Sequence, residues 1–502
     1  MRRPPESPPA PDLASTGIPE LDDILGGGIP ARRVHLLQGD PGTGKTTLAL
    51  RFLIEGASRR EPVLYIALSE NQEELDQVAT SHGWSLEGIR VLDHSSAGLE
   101  ERETTLFHPA EVELGARMRT FLEEIDRLRP KRLVFDSCSE LRLLSQNPLR
   151  YRRQILALKS RASSLGTTIL LIDTLAAGGP ETLLQSVVHG VFTLEQLSPL
   201  YGAERRRLRV SKLRGRRYRG GFHDFVIKRG GLEVFPRLVA SEHHHARYDR
   251  SPVSSGLPEL DSLLGGGPDR GSSLLLMGPA GSGKSTIASQ YACAAAERGE
   301  RVAVFAFDEG TAIYLERSRS LGMQIGGYLE TKQISLQQVD PAELSPGEFA
   351  HAVQVAVEQD KVRVVIIDSL NGYLSAMPEE KLLALQIHEL LAYLAQHGVL
   401  TVLTMAQHGL VFPESTAPLD LSYIADSVLL IRYFEARGHV RKALSVVKKR
   451  SGAHEQTIRE LMLGSEGVRV GPPLTRFQGV LSGRPIPLGR DGESEPAGGQ
   501  SD

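Results

Sequence analysis

The chain has 502 residues, an apolar fraction of 40% and a formal net charge of −3. That is room for two or three ordinary domains, with no chain-wide attraction to nucleic acid or to an anionic membrane. Its two cysteines, Cys138 and Cys293, sit in apolar or small-residue surroundings and read as buried thiols in a reducing compartment rather than a disulfide framework. No apolar run is long enough to cross a bilayer, and the N-terminal MRRPPESPPAPDLAS lacks the apolar stretch of a signal peptide; the expected location is the cytoplasm.

In chain order, residues 1–14 read as a loose proline-rich tail. From Ser15 comes STGIPELDDILGGG, then a short apolar run, Val34 to Leu37, and then GDPGTGKTT: Gly39, Asp40, Pro41, Gly42, Thr43, Gly44, Lys45, Thr46 and Thr47. This fits G-x-x-x-x-G-K-[ST], a loop whose backbone N–H groups wrap a phosphate chain. A segment with helical spacing follows (Leu48 to Ile54), which places the cradle at a helix N-terminus, where the dipole favours anions. Lys45 would reach the β- and γ-phosphates. The Thr46 hydroxyl would ligate Mg²⁺, so the expected ligand is Mg-bound ATP.

The apolar runs VLYIAL (from Val63), RLVFDS (from Arg132), TTILLIDT (from Thr167) and VVHGVFTL (from Val187) are β-branched and continuous, as strands buried on both faces are. Helical stretches such as RYRRQILALKSRASSLG (from Arg150) alternate with them, so a mostly parallel sheet is predicted. Asp136, ending its strand, suits a Mg²⁺-shell carboxylate, although a strand-terminal Asp also caps turns. Glu70, in LSEN, suits the base that orients water; Glu73 and Glu74 read better as a solvated acidic turn. Late in this stretch SKLRG carries Lys212 and Arg214. A cation pair here can act on a neighbouring subunit's phosphates or protect an exposed sheet edge, and the residues alone favour neither.

After SEHHHARYDRSP, which is polar and ends in proline like a linker, the whole series returns. SSGLPELDSLLGGG begins at Ser254, the apolar run Leu274 to Met277 leads into GPAGSGKST, and a helical stretch follows (Ile287 to Ala296). The second cradle comprises Gly278, Pro279, Ala280, Gly281, Ser282, Gly283, Lys284, Ser285 and Thr286. VAVFAF (from Val302), VRVVIIDS (from Val362), VLTVLTMA (from Val399) and SVLLIRY (from Ser427) repeat the strands, with EEKLLALQIHELLAYLAQHG (from Glu379) as a helix. Asp368 takes the metal role beside Ser285, Asp308 and Glu309 the base role, and Lys448 and Arg450 the basic pair. About half the positions from lead-in to cradle are identical between the copies, so this is a tandem duplication of whole domains. The predicted fold is α/β, two tandem P-loop NTPase domains with mostly parallel sheets flanked by helices. The expected bounds are 15–239, a linker at 240–253, 254–481, and a disordered Gly- and acid-rich end at 482–502.

Three local signals have bland readings. The basic ERRRLRVSKLRGRRYRGGFHDFVIKRGG, from Glu204, could track nucleic-acid phosphates, but the chain as a whole is slightly acidic. His243, His244 and His245 could hold a metal, but in a polar linker without cysteine they read as solvated. PPESPPAP reads as a flexible arm.

Together the doubled G-[IL]-P-E-L-D lead-in, both loops, KLRG and YIADSVLLIRYFEARGHVRKALSVVKKRSGAHEQTIREL resemble the KaiC family of tandem RecA-like ATPases over nearly the whole chain, as far as FQGVLSGRP from Phe477. The absence of zinc-knuckle cysteines disfavours the related RadA repair proteins. The resemblance implies a hexameric double ring with nucleotide between subunits, slow ATP hydrolysis in the first ring, Ser/Thr autophosphorylation in the second, and a signalling or clock-type protein partner. It makes Lys212, Arg214, Lys448 and Arg450 trans-acting. Two departures stand out. The family's clock members carry paired glutamates where this chain has Ser69-Glu70 and Asp308-Glu309, and adjacent Ser and Thr acceptors where it has Ser422 and Tyr423. A two-site cycle is therefore not expected, and Ser422 alone is the candidate phosphoacceptor. The segment after SGRP is short and poorly apolar, which speaks against a clock-type activator site. The expected function is a regulatory ring ATPase; a DNA-stimulated motor and a nucleotide-gated scaffold are the alternatives.

Overall fold

The computed structural model describes residues 12–93, 110–145, 147–175, 182–199, 202–242, 247–375, 383–407, 423–482 and 486–487. It divides into two units, residues 1–237 and 238–502, each taken by itself below.

In the first unit the central strand β1 (Val34–Gly39) leads through the first glycine-rich loop into helix α1 (Lys45–Ser58). Strand β2 (Val63–Ala67), helix α2 (Gln72–Ser81), and strands β3 (Ile89–Asp93), β4 (Arg132–Asp136), β5 (Thr168–Asp173) and β6 (Gly190–Leu197) follow. Strands β7 (Arg205–Leu213), β8 (Phe222–Lys228) and β9 (Gly231–Phe235) complete a nine-stranded sheet in the order β9-β8-β7-β6-β1-β5-β4-β2-β3. β6 through β3 are parallel, and β7, β8 and β9 extend the sheet antiparallel. Successive residues of β1 enter opposite cores: Leu37 packs with Tyr65, Val134 and α1, while Leu36 packs with Leu64, Phe135 and Leu171. That alternation with both faces covered is why these runs are apolar without a break.

The second unit repeats this arrangement strand for strand. β10 (Ser273–Gly278) leads into helix α3 (Lys284–Glu297), followed by β11 (Val302–Ala306), helix α4 (Thr311–Ser320), β12 (Ile334–Gln338), β13 (Val364–Asp368), β14 (Leu400–Ala406), β15 (Ser427–Ala436), β16 (His439–Lys449), β17 (Arg459–Gly464) and β18 (Gly467–Pro473). Its order, β12-β11-β13-β14-β10-β15-β16-β17-β18, matches the first sheet position by position. In both sheets the central strand lies between strands reached by connections running in opposite directions, the switch point at which open α/β sheets bind ligands.

The doubled lead-in is a structural device. The Asp22 carboxylate accepts the Ser15 hydroxyl at 2.6 Å and the Thr16 N–H and O–H at 2.8 Å. Asp261 does the same with Ser254 and Ser255, pinning the chain just ahead of each central strand.

Two boundaries differ from the sequence expectation. Leu238 and Ala240 are buried in the second unit's core, and the Tyr248 hydroxyl donates to the Ala395 carbonyl at 2.6 Å while its ring covers Gly271 and Gly398. The described part of the expected linker is therefore fastened to the second unit, because one aromatic ring fills space that two glycines leave open. At the other end Ile486–Pro487 pairs with Phe477–Gln478, so order extends past residue 481. His243, His244 and His245 lie outside the described residues.

His35 on β1 is fully buried. Its Nε2 hydrogen-bonds the Pro30 carbonyl at 2.8 Å, and its Nδ1 has no partner. Burial pushes its pKa down to about 4, against the carbonyl bond and with the help of nearby His189. Between an unfolded pKa near 6.5 and the folded value the unfolded chain binds the extra proton. The stability held above pH 6.5 is thus lost as pH falls towards 4, about 3 kcal/mol in all from this group. Urea titrations at pH 7 and pH 5 should show this loss in the wild type and a smaller one in His35→Phe.

Candidate nucleotide site

In both loops the residue before the helix is a left-handed glycine, Gly44 at φ 94° and Gly283 at φ 108°. A Cβ on Gly44 would fall 2.6 Å from Ile227 Cδ1, and one on Gly283 would fall 2.7 Å from Leu463 Cδ1. Glycine is thus required twice over, by the backbone conformation and by a side chain from the antiparallel extension pressed against the loop. Lys45 Nζ donates to the Gly39 and Asp40 carbonyls at 2.8 Å; Lys284 donates to the Gly278 and Pro279 carbonyls at 2.9 and 2.8 Å. The ammonium closes each loop on itself. An arriving phosphate oxygen competes with two neutral carbonyls for it and adds a full negative charge. Burial lowers the pKa of both lysines, opposed chiefly by Asp136 in the first unit and Asp368 in the second.

The structure brings the predicted carboxylates to these loops. Asp136 ends β4 and Asp368 ends β13, each 8% exposed and each followed by a cis peptide. Ser285 Oγ donates to Asp368 Oδ1 at 3.1 Å. Burial raises the pKa of both aspartates, offset in each by a hydroxyl that the sequence reading did not single out. For Asp136 the donor is Tyr65 of β2, at 2.6 Å; for Asp368 it is Thr404 of β14. The same hydrogen bond is supplied from opposite neighbouring strands. The only sequence trace is a polar group inside each apolar run, VLYIAL and VLTVLTMA.

The candidate bases separate. Glu70 Oε1 lies 3.5 Å from Thr46 Oγ1, and Oε2 is buried without a partner. Burial, with the Asp136 and Glu74 charges, lifts the Glu70 pKa to about 7 against Thr46 and Lys45. Glu74 instead closes a capping box with Asn71 at the start of α2. In the second unit Asp308 accepts the Ser369 hydroxyl, while Glu309 is held by Arg317 at 2.8 Å. At the position matching Asp308 stands Ser69, which meets Ser137 at 3.4 Å. A further buried carboxylate, Asp173 at the end of β5, is paired with Arg142; the sequence reading named neither.

An all-oxygen set of threonine or serine hydroxyl and strand-end aspartate suits a hard cation such as Mg²⁺. Among the described residues no cluster of three His, Cys, Asp or Glu could hold a metal unaided.

The basic pairs sit elsewhere. Lys212 lies opposite Val191 of β6, three residues before Leu194, which is the partner of Gly39. A bulge just before it turns the side chain, and Lys212 and Arg214 donate to the Gln185 and Ser186 carbonyls. Lys448 follows the equivalent bulge and donates to the Ala425 carbonyl at 2.8 Å; Arg450 donates to that of Tyr423 at 2.6 Å. Both pairs thus lie at least three residues back from the level of their own loop, towards the start of the central strand. Ser422 lies outside the described residues.

The KaiC ATPase family model matches residues 14–239 and 253–475, once over each unit. The chain belongs to the KaiC ATPase family. It is 27% identical over 491 residues to the circadian clock oscillator protein KaiC of Synechococcus elongatus, covering 96% of this chain and 93% of that one. The KaiC proteins of Acaryochloris marina and Thermosynechococcus vestitus are each 26% identical, over 488 and 494 residues, with 95% and 96% of this chain and 92% and 93% of theirs covered. The duplicated sheets and loops are therefore two KaiC-type ATPase domains, and the protein is an ATPase. Among the described residues no helix is long and apolar enough to cross a membrane.

Gly44→Ala and Gly283→Ala should each abolish nucleotide binding in their own unit, leaving one site per chain. Titration with a fluorescent ATP analogue, with circular dichroism as the fold control, checks this.

Proposed function

We propose that the protein binds Mg-ATP in both units and hydrolyses it at boundaries between copies of the chain in a ring, as a regulatory ATPase. In this reading the loop N–H groups with Lys45 and Lys284 hold the phosphates. Thr46 with Asp136, and Ser285 with Asp368, hold Mg²⁺, which would neutralise charge on the transferring group. Glu70 orients water in the first unit, and Asp308 or Glu309 does so in the second. The observation that carries the ring is the placement of Lys212, Arg214, Lys448 and Arg450. They lie set back from their own loop and are held by carbonyls there, which favours their serving a phosphate of another copy. A hexamer and a clock-type protein partner follow from the family likeness, the circadian role being that of the named relatives.

One observation favours a second reaction in the second unit. Tyr423, next to Ser422, is exposed, and its carbonyl accepts Arg450 at 2.6 Å and Lys448 at 3.3 Å. Those bonds hold Tyr423 against the cations proposed to meet a neighbour's ATP. Transfer would join the Ser422 hydroxyl oxygen to the γ-phosphorus, release ADP and pass the hydroxyl proton to Asp308 or Glu309.

Turnover of γ-labelled ATP tests both reactions. Released phosphate should fall in Lys45→Ala and again when Lys284→Ala is added, and protein-bound label should vanish in Ser422→Ala. Phosphate release without labelled protein removes the kinase reading. ATP binding without turnover replaces both with a nucleotide-gated scaffold, and DNA stimulation with a steep salt dependence would favour the motor.

A further inference from the structure

The two units differ at the residue that meets the glutamate beside each loop. Eight residues after Glu70, helix α2 carries Val78; eight after Glu309, helix α4 carries Arg317. Arg317 Nη2 donates to Glu309 Oε2 at 2.8 Å, and Nε lies 3.2 Å from both carboxylate oxygens. Its guanidinium sits 4.7 Å over the Tyr314 ring, and the Tyr314 hydroxyl is hydrogen-bonded at 2.8 Å to Ser289 of α3, the helix that begins at Lys284. The cation is therefore fixed from below by a ring anchored to the helix that follows the cradle, and it grips both oxygens of the carboxylate. Among the described residues Glu70 has no such cation: one oxygen approaches Thr46, and the other is buried without a partner.

We infer that Arg317 is a clamp on Glu309, which withholds this carboxylate from the γ-phosphate and slows ATP turnover in the second unit relative to the first. The inference rests on reading the second cradle as a hydrolytic ATP site. In that reaction the water oxygen bonds to the γ-phosphorus as the bridging bond to the β-phosphate breaks. ADP leaves, and the water proton passes through a carboxylate to the phosphate released. A carboxylate gripped on both oxygens by charged N–H donors is aimed at the guanidinium rather than at the attacking water, so this step slows. Arg317 acts through Glu309 and is a positioning residue. The opposite role, a cation lent directly to the transferring phosphoryl group, predicts the opposite sign on removal.

The test exchanges the two residues in the full-length chain. In a Lys45→Ala background, where turnover comes from the second unit, Arg317→Val should raise kcat at least about fivefold with KM for ATP nearly unchanged, and Arg317→Gln should do the same with less change of volume. Val78→Arg in a Lys284→Ala background should lower kcat in the first unit. An unchanged or lowered kcat in both Arg317 variants, with fluorescent-ATP binding intact, overturns the clamp. If the Lys45→Ala protein binds no ATP, the reading of the second cradle fails, and the clamp falls with it.

Discussion

Everything in each unit hangs from the exit of one parallel strand. There the chain must leave a sheet buried on both faces, turn through a left-handed glycine and start a helix, all within one loop. That glycine is hemmed in by Ile227 in one unit and Leu463 in the other, so the antiparallel extension of the sheet sets the shape of the loop. The exposed N–H groups of the loop and helix end favour anions, while the lysine waits on two carbonyls that a phosphate can outbid. The neighbouring strand ends bring in a buried aspartate whose charge is costly until a cation arrives, and burial accordingly raises its pKa.

Duplication kept this frame and varied its furnishing. The strand order, the bulge before each basic pair and the carboxylate that pins each lead-in recur in both units. The hydroxyl on the strand-end aspartate changes strand, from Tyr65 to Thr404. The position beside the candidate base holds Ser69 in one unit and Asp308 in the other, and the helix that follows offers Val78 in one and Arg317 in the other. Two sites built on one plan thus carry different charge beside the glycine-rich loop, which is what a protein needs if one unit is to turn over ATP at a different pace from the other.

The sequence disclosed the frame well because its signals are local and doubled. Loop spacing, β-branched runs and a strand-terminal Asp each survive reading in one dimension, and their recurrence removed most of the ambiguity. The edge strands β3 and β12 were not legible: each is a short, half-exposed strand without a continuous apolar run. Tyr65, Thr404, Arg142, Asp173 and Arg317 were missed for another reason. Each matters through a partner on a different strand or helix turn, and no spacing rule announces such a pair. Glu309 illustrates the limit: its place beside the loop was readable, but its engagement with Arg317 was not. The packing of the linker's described part was not legible, because polar composition hides one tyrosine that fastens it to the second unit.

The claim that sites are completed between copies is tested most directly by mixing. In a Lys284→Ala background, Lys45→Ala lacks the first cradle and Arg214→Ala lacks the cation proposed to serve a neighbour's cradle, so each alone should release little phosphate. Co-expressed in one ring, they should recover up to about a quarter of the parent rate, since a quarter of the boundaries pair an intact cradle with an intact arginine. Recovery on mixing is the result the account predicts. Mixed rings no more active than the average of their parents would contradict it and return the basic pair to the edge of its own sheet.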